Sequence, residues 1–80
     1  MELKEVQKLI NDMYGARDRK RGIWQNLVWL GEEVGELYKA VRENKGIDEE
    51  IADVFAWLLS VANVLDIDVE EAFKKKYLKN

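Results

Sequence analysis

Two short acidic stretches hold the residues best suited to chemistry. Glu32, Glu33 and Glu36 lie in the first, Glu50 and Asp53 in the second. Residues three or four apart share a helix face, so Glu33 and Glu36 stand a turn apart, as do Glu50 and Asp53. Each pair has a tryptophan on its face. Trp29 precedes Glu33 by four residues, and Trp57 follows Asp53 by four. The seam Trp29, Glu33, Glu36, Ala40 thus has a counterpart in Glu50, Asp53, Trp57, Ser60, Val64.

Carboxylates gathered in this way repel one another. At about 5 Å and an effective dielectric of about 20, two like charges cost about 3 kcal/mol. A divalent cation removes that cost, and ligands that are all oxygen select a hard ion, Mg²⁺ or Mn²⁺ before Zn²⁺. The sequence has no His and no Cys. That excludes Cys/His zinc sites, the Glu-x-x-His di-iron arrangement, and Ser–His–Asp or Cys–His catalysis. Glu-x-x-Glu alone is common on solvated helix faces. Here a second acidic pair, a tryptophan on both seams, and Asp53 interrupting Ile51-Ala-Asp-Val-Phe-Ala-Trp-Leu-Leu favour an Mg²⁺ site between two helices.

The elements that position these residues are helical. With no Pro, five Gly and long periodic stretches, the chain reads as one all-α domain over residues 1–80. Leu3, Val6, Leu9, Ile10 and Met13 predict a first helix from about residue 2 to 14. Gly15 to Gly22, rich in Arg and Lys, reads as an exposed basic loop. Ile23, Leu27, Leu30, Val34, Leu37 and Val41 form the apolar seam of a long second helix that ends at Asn44-Lys-Gly46. Asp48 is the expected N-cap of a third helix, apolar on nearly every side from Ile51 to Leu65. Asp68 is expected to cap a short fourth helix, Val69 to Lys79. The short connection between the second and third helices demands an antiparallel pair, which brings the two acidic turns to similar heights.

At 80 residues, such a domain buries only about 60% of its unfolded surface, too little to wrap the third helix. The bundle is therefore expected to be completed by oligomerisation, with Gly31 and Gly35 allowing close helix approach at a subunit contact or leaving room for substrate. The 13 Lys+Arg against 16 Asp+Glu argue against a nucleic-acid partner. No apolar run approaches the roughly 18 residues of a membrane span, and Met1-Glu-Leu-Lys-Glu carries no leader-type apolar region. The expected location is cytoplasmic.

Glu32-Glu33-Val34-Gly35-Glu36, followed by Glu50-Ile51-Ala52-Asp53, resembles the EExxE…ExxD signature of MazG-like nucleotide pyrophosphohydrolases, in the all-α NTP pyrophosphatase superfamily. Trp29-Leu30, Ala40 and the stretch from Asp53 to Asp68 extend the resemblance over about residues 14–77. It implies an enzyme that converts a (d)NTP and water to the (d)NMP and pyrophosphate. Glu33, Glu36, Glu50 and Asp53 would hold Mg²⁺, while Glu32 completes the shell or orients and deprotonates the attacking water. The assembly implied is a dimer or tetramer. Substrate contacts are expected from Arg17, Lys20 and Arg21 as a polyphosphate clamp, from Lys76 toward a phosphate, and from Trp29 or Trp57 stacking on a base. Against these stand a solvated basic loop, a helix C-terminus that favours lysine, and aromatic core packing. Two other functions share the pattern: phosphoribosyl-ATP pyrophosphohydrolysis, and a non-catalytic nucleotide-binding helical oligomer.

Overall fold

A computed structural model describes residues 1–78, and within them the chain is all-α. Four helices follow one another: α1 (Leu3–Arg21), α2 (Ile23–Glu43), α3 (Ile47–Val64) and α4 (Val69–Tyr77). The molecule is only 21 Å thick in its shortest dimension. Helices are about 10 Å across, so that thickness holds two layers and leaves each helix with an uncovered side.

The first helix is longer than its apolar periodicity predicts, and the expected loop at 15–22 is its last two turns. Gly15 does not break it. That glycine is buried, and a Cβ there would crowd the side chains of Asn11 and Arg19. Ala16 to Arg21 are mostly strong helix formers with no proline among them. Arg19, Lys20 and Arg21 occupy the final turn, where the helix dipole favours cations. The break falls at Gly22 alone, whose φ of 90° suits a residue without a Cβ.

Asn26, fully buried, staples the α1–α2 corner. Its Nδ2 donates to the backbone oxygens of Asp18 (2.7 Å) and Gly22 (2.8 Å), and its Oδ1 accepts from Arg21 Nη1 (3.0 Å). The same two carbonyls accept from the Gly22 and Asn26 backbone N–H groups, so the amide adds a second bond to each.

Helix α2 ends on Asn44 in the left-handed conformation (φ 53°), and α3 starts from Gly46 in the same region (φ 66°). Gly46, not Asp48, is the N-cap; Asp48 lies in the first turn beside Glu49 and Glu50, where it meets the positive end of the dipole. The two helices make the most extensive contact in the molecule and run antiparallel. Trp29 lies against Trp57 and Glu33 is gathered with Asp53, so four steps along α2 match four steps back along α3.

Burial on α3 is uneven. Leu59 to Asn63 are buried, chiefly where α1 crosses, whereas Ile51, Phe55 and Leu58 are exposed. Trp24, 79% exposed, and Tyr38, 73%, stand on the outer side of α2.

A buried amide pair locks α4 in place. Gln7 Nε2 donates to Asn63 Oδ1 (3.0 Å) and the Ile67 carbonyl (2.7 Å), Asn63 Nδ2 donates to the Gln7 carbonyl, and Gln7 Oε1 accepts from Val69 N–H (2.9 Å). Asp68 caps α4 as expected, accepting from Glu71 N–H at 3.1 Å. The predicted extension of α4 to Lys79 lies outside the described residues.

Candidate functional site

The α2–α3 hairpin brings the two acidic turns together. Glu33, Glu50 and Asp53 each offer a carboxylate oxygen, and these oxygens lie within 4.8 Å of one another. Helix geometry accounts for this. Glu50 and Asp53 are a turn apart on α3, and Glu33 faces them across the antiparallel contact. Glu36 and Glu32 line the same cleft, with Trp29 and Gly35, but neither belongs to that tight group of three.

The donor set fits a hard divalent cation. Glu50 Oε2 is buried and has no hydrogen-bond partner, a costly state for a carboxylate oxygen. Burial pushes the Glu33 carboxyl above its ordinary pKa, and the negative charges of Asp53 and Glu50 add to the shift. Both features are those of carboxylates packed together with no positive charge among them, and a cation resolves both.

The tryptophans of the two seams meet. Trp29 and Trp57 stack with ring centroids 5.9 Å apart and planes inclined by 12°. Each therefore serves as packing between α2 and α3. Arg21 lies over Trp57, its guanidinium carbon 5.3 Å from the ring centroid.

A second cavity adjoins the acidic cleft, with Asp53 on the wall of both. Its other walls include Arg17 and Arg21, two of the three expected clamp residues, and Trp57. Lys20 is exposed and lines neither space. Lys76 lies on α4, its Nζ 5.5 Å from the Tyr77 ring centroid, and is not among the residues lining either space. The glycines are open as well: a Cβ at Gly31 or Gly35 would meet nothing within 4 Å. Within the chain, then, neither mediates a close helix approach, though Gly35 does border the acidic cleft.

Sequence reasoning missed Tyr14 and Asp18, which complete the second cavity. Asp18 sits among four basic residues and reads as part of a solvated segment, yet it is 2% exposed. The available signal was its spacing from Arg21, three residues on, at which a helix places an acid and a base side by side.

Residues 22–80 match the MazG nucleotide pyrophosphohydrolase domain, and the chain belongs to that family. This supports a nucleotide pyrophosphohydrolase activity, that of a hydrolase acting on acid anhydrides, in a family typically dependent on divalent cations. Comparison with curated proteins found no match. All of α1 lies outside the matched span. No helix among the described residues is long and apolar enough to cross a membrane.

Proposed function

We propose that the chain is an Mg²⁺-dependent nucleoside triphosphate pyrophosphohydrolase, with Mn²⁺ able to substitute, that converts a (d)NTP and water to the (d)NMP and pyrophosphate. The observation that carries this reading is the convergence of Glu33, Glu50 and Asp53 from two helices of a MazG domain.

Glu33, Glu50 and Asp53 would hold the metal, with Glu36 joining them from the lining of the same cleft. When bound, the metal neutralises phosphate charge and lowers the pKa of water to give a nucleophile at neutral pH. The protein's own groups do the remainder. Glu32, exposed at the cleft, orients the attacking water and accepts its proton. Glu33 would act with Glu32 as a catalytic residue as well as being a ligand. Arg17 and Arg21 supply positive charge next to Asp53 that steers the polyphosphate toward the carboxylates. The water oxygen forms a new P–O bond, the α–β bridging bond breaks, and pyrophosphate departs with the electron pair.

The working unit in this reading is a cytoplasmic homo-oligomer, a dimer or tetramer. Ile51, Phe55, Trp24 and Val28 are all exposed on the single chain, and large apolar exposure of this kind marks association surfaces. The test is a thermal shift with Mg²⁺ or Mn²⁺ combined with product analysis. Wild type should gain stability with either ion and release pyrophosphate, whereas Glu50→Gln should do neither. Equal activity in wild type and Glu50→Gln would remove the proposal's basis.

A further inference from the structure

The cavity beside the acidic cleft has a feature that packing does not explain. Tyr14, Arg17, Asp18 and Arg21 from α1 face Trp57 and Ser60 of α3 across a space of about 260 Å³. On its wall, Asp18 is 2% exposed and half satisfied. Its Oδ1 accepts from Arg21 Nη1 at 3.0 Å, while its Oδ2 is buried with no hydrogen-bond partner.

Arg21 is held where it is. The same Nη1 also donates to Asn26 Oδ1, and the guanidinium lies over Trp57. A buried carboxylate oxygen without a donor is costly, and it becomes useful where a ligand brings the donor.

We propose that this cavity receives the nucleobase and that Asp18 is a specificity-determining residue, its free Oδ2 accepting from the exocyclic amine at C4 of cytosine or C6 of adenine. The inference rests on reading the neighbouring cleft as the triphosphate site. Asp53 borders both spaces, so a nucleotide with its phosphates at the carboxylates has its base beside this cavity. Arg17, exposed and within 5.9 Å of the Tyr14 ring centroid, covers the rim with Tyr14.

An amine at C4 of cytosine or C6 of adenine points a donor outward. The carbonyl that replaces it in uracil or hypoxanthine sets acceptor against acceptor. The N–H next to that carbonyl offers no equal substitute, because the adjoining carbonyl oxygen then crowds the carboxylate. Lining residues that provide a charged acceptor therefore favour the amino member of each pair.

The experiment compares CTP with UTP and ATP with ITP, pairs that differ in the amino group and the ring protonation that goes with it. Two readouts are taken with Mg²⁺ present: kcat/KM for pyrophosphate release, and equilibrium affinity from quenching of tryptophan fluorescence. Wild type should favour the amino member about ten- to hundredfold in the pair whose ring size fits. Asp18→Asn turns the acceptor into a donor and should shrink or reverse that ratio.

No amine preference in either pair overturns the inference, and that measurement needs no variant. An unchanged ratio in a folded Asp18→Asn protein overturns it too. If no nucleotide is hydrolysed but affinity keeps the amine preference, the catalytic reading falls and this one stands. Hydrolysis without the preference sinks this one alone.

Discussion

Trp29 of α2 and Trp57 of α3 stack across the hairpin with 5.9 Å between ring centroids. Each is one helical turn from a carboxylate of the acidic group, Glu33 on one side and Asp53 on the other. The stack therefore sets the height at which the two acidic turns meet, and packing and chemistry share a single contact.

That contact has a measurable coupling. In a double-mutant cycle of Trp29→Ala and Trp57→Ala, urea unfolding should give an interaction energy of about 1 kcal/mol. Each single variant should also weaken divalent-ion binding, because the carboxylates lose their common register. Additive effects on stability would show that the stack does not couple the helices.

The α1–α2 corner depends on Asn26. Asn26→Ala removes three hydrogen bonds, two to the Asp18 and Gly22 carbonyls, which keep their backbone donors, and one from Arg21, at a cost of about 1–3 kcal/mol. Thermal or chemical denaturation measures this directly. A loss near zero would mean that water replaces all three bonds.

Both the hairpin and its acidic pairs were legible in the residues because helix geometry converts spacing of three and four into shared faces without further information. The α1–α2 corner was not legible. Gly15 signals a break by propensity, but the structure uses it for space, since Asn11 and Arg19 fold over it. Asp18, amid Arg17, Arg19, Lys20 and Arg21, has the sequence neighbours of a solvated residue; only packing against α2 and α3 buries it. At α3 the expected cap at Asp48 is replaced by Gly46, since Asn44 has already turned the chain into the left-handed region. Local chemistry identified the candidate metal ligands, while the second cavity depends on tertiary packing.

The α1–α4 junction should respond to pH at two edges. Asp68 is held below its ordinary pKa, first by the Glu71 N–H and then by Lys4. Its stabilisation is therefore present above the unfolded carboxylate value and lost as pH falls through the lower folded value. Lys4 is held above its ordinary pKa by Asp68 and then Glu71. That contribution is complete below the unfolded lysine value and lost as pH rises through the higher folded one. Tm against pH should show both edges in wild type and a weakened acid edge in Asp68→Asn, with α4 fraying seen by hydrogen exchange.

Charge removal at the acidic cleft should separate activity from stability. Asp53→Asn or Glu36→Gln should lower turnover about a hundredfold or more. The metal-free protein should keep its Tm or gain slightly, because one negative charge fewer relieves repulsion. A large drop in metal-free Tm would assign these residues a structural role.

The most direct test of the central claim is the product stoichiometry of a nucleoside triphosphate panel incubated with the purified protein and Mg²⁺. The account predicts one nucleoside monophosphate and one pyrophosphate per triphosphate consumed, abolished by chelator and by Asp53→Asn. Release of orthophosphate with nucleoside diphosphate, or no metal-dependent release of pyrophosphate from any triphosphate, would contradict it.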